Sequence, residues 1–150
     1  MARIVHISLK VDDIEKTSRF YEEVFGFRHV NTVERKGRTG NHVSRHLTDG
    51  AMDLTIMRYD SEQASEANFA GPAPCIHHFG MEVDDIEGFA KQITDMGGEI
   101  LSEPGHLPIK FRAPGGPVAE IVPVGRYKKK TLADDIKADD SSLTARQAIG

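Results

Sequence analysis

Two histidines and two carboxylates stand at matching places in a chain that repeats itself. The ten residues from His6 to Glu15, HISLKVDDIE, return from His78 to Glu87 as HFGMEVDDIE, identical at six of ten positions. Each copy then runs into a helical pattern ending at a glycine, Gly26 or Gly97. Short strand-like runs follow, closing on an apolar segment with a single acid: Asp53 in Met52-Asp53-Leu54-Thr55, Glu120 in Ala119-Glu120-Ile121. Imidazole and carboxylate are the usual protein ligands of Zn, Ni, Mn, Co and Fe(II), so each copy brings half of a possible metal site. An internal repeat is also the strongest single pointer to architecture, because it makes the chain two copies of one supersecondary unit.

Strand parity tests whether the four residues can meet. Neighbouring side chains on a strand point to opposite faces. In the first strand Val5, Ile7, Leu9 and Val11 form the apolar set, which leaves His6, Ser8 and Lys10 on the other face. In the second copy Phe79, Met81 and Val83 are the helix-facing set, so His78 turns away and His77 joins the core side. Met52, Leu54 and Ile56 oppose Asp53, and Ala119 and Ile121 oppose Glu120. Four strands thus each present one His or acid on the face that helices do not cover.

The intervening pattern supplies the elements that must hold them. Asp12 or Asp13 caps a helix that buries Ile14, Tyr21, Val24 and Phe25, and Gly26 gives its left-handed stop. Strands are expected near 27–33, 42–48 and 51–58, the last two joined by the hairpin signal Asp49-Gly50. Residues 60–74 read as a linker. The second helix shows Ile86, Phe89, Ala90, Ile93 and Met96 on one face, followed by strands near 99–102, 109–112 and 118–124. From Arg126 the pattern becomes a polar tail with charge blocks at 128–130, 134–135 and 139–140. The chain therefore divides into a first βαβββ module (1–59), a linker (60–74), a second βαβββ module (75–125) and a tail (126–150). The fold class is α+β.

Composition excludes more than it assigns. With 150 residues, 39% apolar content and a net charge of −4, the chain offers no basic stripe for nucleic acid and no run long enough to span a bilayer. No signal-peptide pattern opens it, and one cysteine, Cys75, fits a reducing, cytoplasmic setting. Cys75 lacks a nearby Lys/Arg cluster and is not expected to be a reactive thiol. Pro114-Gly115-Gly116-Pro117 precedes a strand rather than a helix, so it is not a phosphate loop. His77 is expected to be packed or hydrogen-bonded beside the cleft, and His29, His42, His46 and His106 to sit on the surface. Arg35 and Arg38, in the basic cluster 34–41, are candidates to clamp a carboxylate or phosphate of a substrate.

The stretches HISLKVDDIEKTSRFYEEVFGF, HFGMEVDDIEGFAKQITDMGG and APGGPVAEIVP resemble the vicinal oxygen chelate superfamily, which includes glyoxalase I, methylmalonyl-CoA epimerase, extradiol dioxygenases and bleomycin-resistance proteins. The resemblance covers residues 3–125. It implies two tandem βαβββ modules whose sheets curl around a metal cleft, with His6, Asp53, His78 and Glu120 as ligands of one divalent ion (Ni, Co, Zn, Mn or Fe(II)). The ligand pattern is closest to glyoxalase I and the epimerase, which implies a metal-dependent lyase or isomerase that stabilises charge developing beside a carbonyl. Glu120 or Asp53 would move the proton. Aspartate stands at position 53 where the glyoxalase pattern has glutamate. If it does not ligate, the set becomes two histidines and one carboxylate, that of non-haem Fe(II) oxygenases, and an extradiol-type dioxygenase is the alternative. A small-molecule binding or resistance protein is the third reading. A small-molecule substrate and a homodimer are the implied partners, with the modules paired within one chain or across two.

Overall fold

A computed structural model describes residues 1–38, 40–64 and 66–129. The elements run β1 (Ala2–Lys10), α1 (Ile14–Phe25), β2 (Arg28–Gly37), β3 (Gly40–Thr48), β4 (Asp53–Tyr59), β5 (Cys75–Val83), α2 (Ile86–Asp95), β6 (Glu99–Ile100), β7 (Ile109–Arg112) and β8 (Val118–Pro123). This is the α+β order expected from the repeat: strand, helix, three strands, twice. The charge blocks at 134–135 and 139–140 lie outside the described residues. Among the described residues, no helix is long and apolar enough to cross a membrane.

All eight strands join one curled mixed sheet in the order β2-β3-β4-β1-β5-β8-β7-β6. Within each half the first strand pairs parallel with the last, β1 with β4 and β5 with β8. The halves then meet edge to edge through an antiparallel β1·β5 seam. The four central strands, β4-β1-β5-β8, are consequently the four that carry Asp53, His6, His78 and Glu120.

Both helices start from the same repeat position. The second aspartate of each Val-Asp-Asp-Ile-Glu copy is the cap: Asp13 accepts from the Lys16 amide and Asp85 from the Gly88 amide, each at 2.9 Å. Such a bond satisfies a backbone donor that the first helical turn leaves without a partner. In the second half Ile86, Phe89, Ala90 and Ile93 of α2 pack on Phe79, Met81, Val83, Phe111 and Ile121, as the apolar periodicity requires. Met96, expected on that face, is exposed because α2 ends at Asp95, before the residue can turn inward.

The first half is packed differently. Val24 and Phe25, expected to be buried, are exposed, and Ser18 is the buried residue of α1. The helix meets the sheet partly through charge, with Arg45 of β3 reaching Glu22 at 3.2 Å and Glu15 at 3.4 Å. A guanidinium standing between sheet and helix rotates the apolar stripe of α1 outward at its C-terminal end.

Helix α1 stops at Gly26, whose φ of 70° and ψ of 24° lie in the left-handed region and whose amide bonds the Glu22 carbonyl at 3.1 Å. A Cβ placed there meets nothing within 4 Å, so the only cost of a side chain is conformational. Gly26→Ala should lower stability by about 1–2 kcal/mol, the penalty an L-residue meets in that region, without changing the unfolding slope. Urea denaturation of the two proteins measures it.

Candidate metal centre

The seam and the two parallel pairs fix the geometry of the site. His6 pairs with Asp53 on one side and with Gly80 on the other, while Ser8 pairs with His78. Both histidines therefore project from adjacent strands onto one face, diagonal to each other across the seam. Their Nε2 atoms are 3.1 Å apart. Glu120 reaches the same point from β8, with Oε1 at 3.5 Å from His6 Nε2 and Oε2 at 3.2 Å from His78 Nε2. All three side chains are almost wholly buried. The convergence takes place within one chain.

Hydrogen bonding decides which nitrogens carry protons. His77 Nε2 lies 2.8 Å from the Glu66 backbone carbonyl, which can only accept, so the proton sits on that nitrogen. Burial, reinforced by the charge of His78, pushes His77 down to about 4 and keeps the ring neutral. Its Nδ1 is then an acceptor, and His78 Nδ1 donates to it at 2.7 Å. On the other side of the seam His6 Nδ1 donates to Asp53 Oδ2 at 2.5 Å. In both rings the outer nitrogen holds the proton and Nε2 is left with a bare lone pair. Burial pushes His78 below the usual histidine range and favours the neutral ring, against the opposing pull of Glu120.

Two imidazole lone pairs and a carboxylate thus face one another with no proton of their own between them. Glu120 Oε2 is buried without a well-aligned hydrogen bond, although His78 and Lys110 approach it. A cation is what this donor set lacks. Donors each ~2.1 Å from one ion lie about 3.0–3.4 Å apart for octahedral or tetrahedral angles, and the observed separations of 3.1 and 3.2 Å fall within that span, with 3.5 Å just beyond it. Gly80 supplies the room. A Cβ there would come within 3.0 Å of Glu120 Oε1 and 3.1 Å of the His6 ring. The residues present therefore fit a divalent ion held by His6, His78 and Glu120.

Asp53 stands apart from these three. It is buried, and its two oxygens are occupied by His6 Nδ1, by His46 Nδ1 at 2.9 Å and by the Thr55 hydroxyl at 2.7 Å. Burial alone would raise its carboxyl, but the hydrogen bonds from His46 and His6 and their charge outweigh it and hold Asp53 at about 2. The register explains the separation. Gly80 pairs with Glu120, and its repeat counterpart Ser8 pairs with Thr55. Thr55, not Asp53, is the structural equivalent of Glu120. The first half presents a hydroxyl where the second presents a carboxylate, and the acid two residues earlier holds the far nitrogen of His6.

The remaining candidates are placed as follows. A cleft of about 690 Å³ opens over the centre, and Arg35 lines it while Arg38 does not. His42 and His46 also line it, contrary to the surface role expected of them. Applying to β3 the parity used on the other strands would have found both, since His42, Ser44 and His46 alternate with Val43, Arg45 and Leu47. Two further residues escaped the sequence reading altogether. Lys110 is buried between Glu66 at 2.9 Å and Glu120 at 3.3 Å. Burial opposes its charge, but the two carboxylates prevail and raise its pKa. Tyr127, at the start of the polar tail, stacks on the His6 ring with centroids 4.1 Å apart and planes 8° from parallel, and its hydroxyl donates to Glu120 Oε1. A tyrosine in a charged tail carries no local signal for such a contact.

Comparison with known proteins agrees with this architecture. Residues 3–116 match the sequence profile of the Glyoxalase/Bleomycin resistance protein/Dioxygenase superfamily. The match ends before β8, so Glu120 enters the site on geometry. Among solved structures, hypothetical protein BH1468 from Bacillus halodurans C-125 superposes with a TM-score of 0.70 at 17% identity, over 86% of this chain and 99% of its own. A variant of 4-hydroxymandelate synthase from Streptomyces coelicolor gives 0.65 at 18% identity over 80% of this chain; the chain spans about half of that enzyme, 48%. Methylmalonyl-CoA epimerase from Mycobacterium tuberculosis gives 0.61 at 17% identity, over 82% and 89%. At these identities the likeness establishes the fold alone. No curated sequence matches the chain.

The geometry separates a ligand from a residue that orients one. His78→Ala should abolish binding of a divalent ion, whereas Asp53→Asn should weaken it by about 10–100-fold, the usual effect of removing a group that holds a ligating histidine. Titration of the metal-free proteins with Co(II) distinguishes the cases. Equal loss in both variants would make Asp53 a ligand.

Proposed function

This chain belongs to the Glyoxalase/Bleomycin resistance protein/Dioxygenase superfamily, and from that premise we propose that it is a divalent-metal-dependent enzyme of the oxygenase type acting on a small molecule. The observation that carries the reading is the three-residue donor set. With Thr55 at the position equivalent to Glu120 and Asp53 turned to the far side of His6, the set is two histidines and one carboxylate, which non-haem Fe(II) oxygenases use with coordination positions left open. Held there, iron(II) would supply redox chemistry toward dioxygen and Lewis acidity toward the oxygens of the substrate.

The protein's own groups have distinct tasks. His6 and His78 offer Nε2 lone pairs because their Nδ1–H groups donate to Asp53 and His77. Lys110 and Tyr127 hold the Glu120 carboxylate as an anion, and the Tyr127 ring covers His6 on its open face. His46 lines the cleft with Nδ1 engaged by Asp53 and Thr55. Its Nε2 is then free to take a proton from a bound substrate, and Asp53 stabilises the imidazolium that results.

A lyase or isomerase of glyoxalase or epimerase type is the second reading, and His46 is the observation that keeps it open. That chemistry needs a base near the working pH. Asp53 is held at about 2, and Glu120, although burial would raise it, is held well below the usual carboxylate range by His78 and Lys110. Both are poor bases as they stand. Proton abstraction beside a carbonyl would therefore pass to His46.

Metal analysis of protein purified without added metal, followed by oxygen-electrode measurements on the Fe(II)-loaded form with vicinal diols and 2-oxo acids, tests the proposal. Iron together with substrate-dependent oxygen uptake is the expected result. Nickel, cobalt or zinc without oxygen uptake transfers the assignment to the isomerase reading, and an inability to bind any divalent ion overturns both. Once a turnover assay exists, His46→Gln should lower kcat by about 10²–10⁴-fold while metal content stays at the wild-type level. Unchanged kcat would remove His46 from the proton path.

A further inference from the structure

The mouth of the cleft gathers positive charge. Arg35 and Lys36, from the β2 end of the β2–β3 hairpin, and Arg126 and Lys128, from the segment after β8, all line the same opening. All four are exposed. Among the described residues none is paired with a carboxylate. Elsewhere cations do meet acids, locally as Arg19 does with Glu23 and Lys91 with Asp95, or across the fold as Arg45 does with Glu22. The acids deeper in the cleft are already matched, Asp53 by two histidines and Glu120 and Glu66 by Lys110. Glu34 is the single acid left at the rim. A chain of net charge −4 thus collects four unmatched cations around its own site, drawn from segments far apart in sequence.

Such an arrangement is unfavourable without an anion to receive. Like charges clustered at one opening repel one another, and a cleft focuses their field outward along its axis. Two of the four are guanidinium groups, whose paired N–H donors match the oxygens of a carboxylate or phosphate. The four residues sit where a molecule that reaches the metal centre with one end would leave its other end.

We propose that the substrate of this site carries an oxyanion, a carboxylate or a phosphate, at the end remote from the metal-chelating oxygens, and that Arg35 and Arg126 receive it, with Lys36 and Lys128 drawing it in. The assignment rests on the reading of the cleft as the substrate site but not on the identity of the metal. It makes the substrate class a small acid or phosphate ester rather than a neutral phenol or an apolar drug.

The test uses metal-free full-length protein at low ionic strength, titrated calorimetrically with inorganic phosphate in one arm and malonate in the other, against chloride at equal ionic strength. Wild-type protein should bind at least one of the two anions in preference to chloride, and the preferred arm identifies the group. Arg35→Gln with Arg126→Gln should weaken that binding about tenfold or more, since each charge-assisted bond lost is worth roughly that factor. Lys16→Gln with Arg58→Gln, an equal change of net charge outside the cleft, should alter it less than twofold. No preference over chloride, or equal losses in the two double variants, overturns the proposal. The same metal-free samples are afterwards titrated with Co(II) to measure metal uptake. Rim-dependent anion binding in a protein that takes up no metal would sink the oxygenase reading and leave this one standing, and metal uptake without rim-dependent binding would do the reverse.

Discussion

The antiparallel pairing of β1 with β5 is the constraint on which the rest of the molecule depends. Each half of the chain can place one histidine and one further polar residue on its open face, because a parallel pair of first and last strands does so in either half. Neither half alone brings together three donors. Only when Ser8 lies opposite His78 and His6 opposite Gly80 do the two imidazoles face each other, and only then does Glu120, one strand further on, reach between them. A slip of the seam by one residue would turn every cleft-facing side chain of one half toward the helices.

Around that seam the polar groups form a closed account. The proton on each of the two central imidazoles is fixed by a partner on the side away from the centre, Asp53 for His6 and His77 for His78. His77 is itself fixed by a carbonyl of the segment between the halves. Buried polar groups are tolerated only when paired. Among the described residues that line the cleft, Glu120 Oε2 is the buried side-chain atom left without a hydrogen bond, at the point where the three lone-pair donors converge. Within the cleft that shortfall is one of positive charge, which makes it a property of the site.

How much of this is legible in the sequence follows from what parity can and cannot measure. The repeat, the alternating strands and the capped helices give the order of elements and the open face of each central strand, and His6, His78 and Glu120 follow from them. Parity has a period of two, so it cannot tell Asp53 from Thr55: both face the cleft, and only the register of β4 against β1 decides which one stands opposite Glu120. His46 shows its face by the same rule, but its partner Asp53 is known only once β3 and β4 are aligned. Lys110, Glu66 and Tyr127 come together over long sequence separations, through contacts with no periodic trace. The exposed positions of Val24 and Phe25 have a similar origin. Periodicity identifies an apolar stripe, while the Arg45 bridge to Glu15 and Glu22, invisible in either segment alone, sets how that stripe is turned.

The segment between the halves bears on which copy of β1 each β5 pairs with. Two similar modules on one chain invite exchange, in which β5 of one copy pairs with β1 of another, since that seam would be as well matched between chains as within one. The connecting residues oppose this by acting as a clasp. Lys10, at the end of β1, donates to the carbonyls of Ala67 and Gly71, while Glu66 grips His77 of β5 through its carbonyl and Lys110 of β7 through its carboxylate. Both partners of the seam are thereby tethered to the strand of chain that joins them. A swapped pair would have to stretch that connection and forfeit these bonds in each copy, so the connector, rather than the seam itself, favours pairing of the two halves within one chain.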